Sequence, residues 1–490
     1  MAIIPSTQKF HTVAEDIPTK NRGSELANSG REAVTMQDII DSIPTSTGIF
    51  EEGPGGAAST QRVGSSNVAD GTSSTVSGGY NNEARGDNST ISGGINNVSV
   101  GNRSVIGGGT NNRSFGFNSS VVGGVNNISN GESSSVGGGS TNEASVQFAT
   151  IGGGQSNTAS GISSTISGGN TNTASGQDST IAGGNSNSAE ADRSFIGGGY
   201  QNTINNVASG STIGGGYNHT ISSGGFNTIG GGNTNTATGS SDSTVGGGGG
   251  NDATGQGSTV GGGQNNSASN LDSTVGGGGF NVSSGTQSTV SGGSRNTASG
   301  VKSTVGGGVY NTASGQTSTI SGGTYNTASG DYSTVSGGEN NTASAVTFGK
   351  STIGGGSNNT ANSDFSTISG GSQNTASAYY STMGGGLQNT ASGRASVVVG
   401  GQQNTASGYR SFIGGGYYNV ADGISSSIIG GDYNNTNGYN GAHIIGSSIY
   451  ADRSDCTFVE NLTITQVPTS AVGLSSGSVW NNGGVLNIVL

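Results

Sequence analysis

Ser318-Thr319-Ile320-Ser321-Gly322-Gly323-Thr324-Tyr325-Asn326-Thr327-Ala328-Ser329-Gly330-Asp331-Tyr332 is followed at once by Ser333-Thr334-Val335-Ser336-Gly337-Gly338, and Asn326-Thr327-Ala328-Ser329 returns as Asn341-Thr342-Ala343-Ser344. The aliphatic position runs back through Val305, Val290, Val275 and Val260 and, past some slips, to Val76. Forward it runs through Ile353, Ile368, Met383, Val398, Ile413 and Ile428 to Ile444. Roughly 25 copies fill about three quarters of the chain, and a short fixed period of this kind marks a solenoid whose rungs are not stable singly. Each rung reads as two short strands. Alternation turns Val/Ile and Ala inward, with the first Ser and the Asn on those same faces, and the Thr columns outward. Gly-Gly plus two variable residues makes one corner, and Gly plus two variable residues makes the other. Stacked at about 4.8 Å per rung, the copies predict an all-β parallel solenoid (β-roll), a rod on the order of 120 Å long.

Composition removes the rivals. Of 490 residues 99 are Gly and only 28% are hydrophobic, which raises disorder and collagen as alternatives. Gly does not fall at every third position, and all five prolines (Pro5, Pro18, Pro44, Pro54, Pro468) lie outside the repeats. A strand ladder needs that exclusion, because proline has no N–H to donate. The net charge of −12 argues against nucleic acid and acidic membrane surfaces. No apolar run has the length of a membrane span, and Met1-Ala2-Ile3-Ile4-Pro5 lacks the basic start and apolar run of a signal peptide. One cysteine, Cys456, leaves no internal disulfide.

Four segments follow. Residues 1–58 read as an attachment module, with one helix expected from Arg31 to Ile43 behind a Ser29 cap and a hinge at Gly53-Pro54-Gly55-Gly56. A linker is expected over 59–73, the roll over 74–452, and a terminal β cap over 453–490. In that cap Val479-Trp480 and Val485 to Leu490 flank an Asn/Gly turn, a hairpin signal. Irregular spacing around Ile213, Ile229 and Val245, and the extra Ala345-Val346-Thr347-Phe348-Gly349-Lys350, must leave the rod at corners because the rungs fix the strands.

Ser-Thr-Val-Ser-Gly-Gly alternating with Asn-Thr-Ala-Ser-Gly resembles the head repeats of trimeric autotransporter adhesins, the YadA-like left-handed parallel β-roll. The likeness covers roughly residues 74 to 450 and implies a homotrimer that binds host surfaces. The unit here is one residue longer than the family's, and that family's strand carries two apolar positions where this one has Val/Ile and then Gly or Ser. Val467 to Val489 resembles instead C-terminal segments of tailed-phage fibre proteins. Together these imply a virion fibre, joined to a tail component through the N-terminal module and binding host-surface carbohydrate or receptor. A bacterial surface adhesin head is the alternative.

Catalysis finds little support. His11, His219 and His443 are far apart along the axis, giving neither a metal cluster nor a triad, and Asp331, Glu339 and Asp364 read as solvated corner charges. No cofactor and no enzyme activity are expected. Regular outward Thr columns leave an ice-binding face as a further alternative, beside their ordinary role as strand formers. Tyrosine is uneven: eleven of the fourteen lie from Tyr310 onward. Tyr310, Tyr325, Tyr332, Tyr379, Tyr380, Tyr409, Tyr417, Tyr418, Tyr433 and Tyr439 are the candidate recognition residues, since a ring with a hydroxyl suits sugar surfaces. Ring packing, between chains or along one edge, is the competing reading.

Overall fold

A computed structural model describes residues 50–54, 59–62, 66–345, 347–463, 465–482 and 485–488. The helix expected over Arg31 to Ile43, with nearly all of the attachment module, lies outside the described residues.

The repeats form an all-β parallel solenoid of about 26 turns. Each unit gives two strands of two residues. Thr319–Ile320 pairs in parallel with Thr304–Val305 before it and Thr334–Val335 after it. Thr327–Ala328 pairs with Thr312–Ala313 and Thr342–Ala343. Two long sheets result, an aliphatic one and an alanine one, each gaining one strand per turn. A third ladder was not anticipated: single parallel bridges climb the Gly-Gly corner through Val309, Thr324, Glu339 and Ser357.

The interior follows the alternation. Ile320, Ala328, Ser318 and Asn326 are fully buried, while Thr319 and Thr327 are half-buried on the outside. A buried amide is costly unless all its polar atoms are paired. Here they are. The Asn326 backbone N–H donates to Oδ1 of Asn311 (3.0 Å), and Nδ2 donates to the carbonyls of Gly322 (3.1 Å) and Gly338 (2.9 Å). Oδ1 of Asn326 accepts in turn from the Asn341 N–H at 3.0 Å. Asparagine thus acts as a backbone splice between successive turns, and the column repeats from Asn67 to Asn434. Where Ser replaces the core Ala, at Ser99, Ser114, Ser129 and Ser283, its hydroxyl pairs with the neighbouring core Ser at 2.6–2.7 Å.

The two corner glycines differ. Gly323 has φ 91°, and a Cβ there would overlap the Gly338 carbonyl oxygen and crowd Nδ2 of Asn326. A Cβ on Gly322 would meet open space. Only the second glycine of the pair is required by the fold.

At the N-terminal end Thr60–Arg62 pairs with Thr75–Val76, and Val68–Ala69 with Glu83–Ala84. The ladder therefore reaches into the segment read from sequence as a linker, because strand register survives there without the Ser-Gly-Gly signature. Phe50–Glu52 adds antiparallel to Thr60–Arg62 and covers that sheet edge. At the other end Thr457–Val459 adds one more parallel strand to His443–Ile445. The expected hairpin is present, with Val479–Asn482 antiparallel to Val485–Ile488, as a separate two-stranded sheet. Extra residues leave the rod at corners: Thr203 still pairs with Thr220 across one insertion, and Thr334 with Thr352 across another.

Candidate functional site

The ten tyrosines fall on two corners. Tyr310, Tyr325, Tyr417, Tyr418 and Tyr433 sit at the Gly-Gly corner and Tyr332, Tyr379, Tyr380 and Tyr409 at the single-Gly corner, where Ala378 stands in for the glycine before Tyr379 and Tyr380. Tyr439 stacks its backbone against Gly423 on that second side. Six of them hold left-handed φ of 53–59° (Tyr310, Tyr325, Tyr332, Tyr380, Tyr418 and Tyr433). That conformation is unfavourable for a bulky residue.

The structure gathers most of them into three groups. Tyr310 and Tyr325 stack with centroids 4.9 Å apart and planes 6° apart, and the Arg295 guanidinium lies 5.3 Å from the Tyr310 ring. Tyr418 and Tyr433 stack at 5.5 Å, with Tyr417 edge-on to both. Loss of water around this group pushes the Tyr417 phenol up to about 12, and hydrogen bonding with Tyr418 adds to the rise. Tyr379 and Tyr380 meet edge-on at 4.4 Å, and both touch Phe365. Hydrogen bonding to Tyr380, with partial burial, also raises the Tyr379 phenol. Both hydroxyls therefore stay protonated at neutral pH and can donate. Tyr409 carries Arg410 over its ring at 4.8 Å. No ring contact joins Tyr332 or Tyr439 to another aromatic among the described residues. Stacking along an edge thus coexists with exposure, since Tyr325, Tyr332, Tyr380 and Tyr433 remain half open to solvent.

Sequence reasoning missed the partners of these rings. Phe365, Arg394 and Arg410 occupy the same corner columns as the tyrosines and could have been found by reading each column down the repeats. Phe348 and Lys350 were passed over because their insertion breaks the register. Also missed was the outer face of the aliphatic sheet near its C-terminal end. There the usual Thr and Ser/Gly columns give way to Val397, Val399, Phe412, Ile429 and Ile445, of which Val399, Ile429 and Ile445 are exposed.

His219 is not a site residue but a core one. It takes the place of asparagine in the buried column: its N–H donates to Oδ1 of Asn202, and its Nδ1 accepts from the Asn235 N–H at 3.0 Å. Burial holds its imidazole below the ordinary value, and the N–H aimed at Nδ1 requires the neutral ring with its proton on Nε2. No group of three or more His, Cys, Asp or Glu side chains able to hold a metal occurs among the described residues.

No family model matches this chain, and no curated protein matches it either.

Proposed function

We propose that this chain is a structural fibre of a virion, a homotrimeric rod that projects from the particle and meets host-surface glycan through its corner side chains. The observation that carries the reading is the contrast between an interior repeated turn after turn and corners whose tyrosines concentrate toward the C-terminal half. Rings of this kind cost conformational energy in a left-handed turn, stack only in part, and leave exposed faces that suit contact. Weak sites repeated along three chains would give avidity. Association of chains is supported by the exposed Val399, Ile429 and Ile445 on an otherwise Thr-rich face. The resemblance of Val467 to Val489 to phage fibre termini favours a virion over a bacterial surface.

Native-buffer mass and glycan-array binding of the full-length protein test this. The expectation is three chains and retained glycans, with binding lost when Tyr379, Tyr380, Tyr417 and Tyr418 are all changed to Ser. Unaltered binding by a correctly assembled variant removes the tyrosines from recognition, and a stable folded monomer removes the trimer.

A second reading rests on the outer Thr column of the aliphatic sheet, which runs unbroken from Thr212 through Thr382. A regular hydroxyl array of this kind fits an ice surface. Thermal hysteresis in the purified protein would support it, and its absence would discard it.

A further inference from the structure

Thr347 to Lys350, in the inserted corner loop, and the turns after it build a site with a character of its own. Asp364 is almost fully buried, and its carboxylate accepts from the N–H groups of Thr347 and Gly349, both at 3.1 Å. That charge is directed at backbone, and it ties the inserted loop to the next turn. The loop holds Phe348 out in solvent, where it lines an open depression of about 210 Å³ with Tyr379 and Arg394. Phe365 stacks on Tyr380 at 4.9 Å beside this depression.

Three cations surround the rings. Nζ of Lys350 lies 5.3 Å from the Phe365 centroid, Arg394 lies 5.3 Å from that of Tyr379, and Arg410 lies 4.8 Å from that of Tyr409. The ion pairs found among the described residues, Arg85–Glu83 and Arg453–Asp452, are elsewhere. The nearby Asp331 carboxylate is likewise turned to backbone, accepting from the Gln316 N–H at 2.8 Å. A chain of net charge −12 thus gathers three cations against clustered rings at this corner, whereas Arg295 stands alone between Phe280 and Tyr310. Guanidinium groups recognise carboxylate and sulphate through paired N–H donors, while ring faces pack against the apolar side of a sugar.

We propose that this corner binds an anionic glycan, with the aromatic cluster against the sugar ring and Arg394, Arg410 and Lys350 on its carboxylate or sulphate. The proposal rests on the glycan reading above and narrows it to one site and one charge class.

Titration calorimetry of the full-length protein with polygalacturonate, dextran sulphate and neutral dextran tests it. The expected result is affinity for at least one of the two charged polymers about tenfold or more above that for dextran, falling as salt is raised. The two charged arms separate carboxylate from sulphate recognition. Arg394→Gln with Arg410→Gln should remove most of that preference, whereas Arg193→Gln with Lys302→Gln, at exposed corner positions on turns before the insertion, should leave it. The four side chains replaced lie on corners outside the core, and circular dichroism would confirm that the roll persists. Equal binding to dextran, unmoved by the Arg changes, overturns the anionic proposal while the glycan reading stands. Charge-selective binding that survives the Arg changes overturns this site. Failure to bind any of the three polymers overturns both.

Discussion

Asn326 and Tyr325 are chain neighbours, yet they obey opposite rules. The asparagine column reads Asn296, Asn311, Asn326, Asn341 through four turns, while the position before it reads Arg295, Tyr310, Tyr325, Asn340. The buried asparagine finds its partners in its own turn and in the turns on either side, so a change in one turn strands a donor or acceptor in the next. The corner tyrosine side chain has no such obligation. Its backbone alone serves the ladder, as when the Tyr325 N–H donates to the Val309 carbonyl at 3.0 Å, while corner carboxylates such as Asp331 and Asp364 reach the backbone of a neighbouring turn. Identity is therefore enforced inside and released at the corners, and the corners are where recognition can be written without disturbing the rod.

The sharpest way to break this contrast is Asn326→Ala. It leaves the Asn341 N–H and the Gly322 carbonyl without their partners, while the Gly338 carbonyl keeps the Thr324 N–H. At about 1–3 kcal/mol for each of the two unsatisfied groups, local stability should fall by on the order of 4 kcal/mol. Hydrogen exchange read turn by turn should show the loss spreading to both neighbours, as nearest-neighbour coupling requires. Unchanged protection at Asn341 would refute the splice.

Two adjacent glycines sharpen the comparison. Gly323→Ala forces a Cβ into the next turn's backbone and should cost about 3 kcal/mol or more. Gly322→Ala, with open space before it, should stay within about 0.5 kcal/mol of the parent. Equal effects in thermal unfolding would mean that the packing of this corner is misassigned.

His219 supplies a pH handle inside the rule. Its folded pKa lies below its ordinary 6.5, so the unfolded chain binds the proton more readily. Its contribution is present above the unfolded pKa and is lost as pH falls through the folded one. Local protection around turns 202–235 should weaken as pH falls below about 6.5, and His219→Asn should abolish that dependence by restoring the column. A pH response retained in His219→Asn would assign it to another group.

The smallest effect is expected outside. Tyr310→Ser removes a stacked ring at about 0.5–1.5 kcal/mol, but relieves a bulky residue in a left-handed turn. The net change should be under about 1 kcal/mol, and a larger loss in thermal unfolding would give Tyr310 a structural role.

How far the sequence reached follows from the same division. The period, the inward Val/Ile and Ala, and the outward Thr were legible because alternation fixes which face each residue takes. That Asn326 shares a face with Ala328 was legible too. Its bonding was not, since the acceptors are backbone carbonyls that no side-chain pattern reports. The third ladder escaped notice because Thr324 and Glu339 share no residue type. Thr60 and Val68 hid the start of the roll for a related reason, pairing through backbone without the Ser-Gly-Gly signature. At the corners the tyrosines stood out by type, whereas Arg394 and Phe365 become meaningful only once turns are stacked.

The most direct test of the account is electron microscopy of the intact protein. About 26 turns stacked at about 4.8 Å predict a straight rod on the order of 120 Å long and even in width. Compact particles, or chains without a fixed outline, would contradict it.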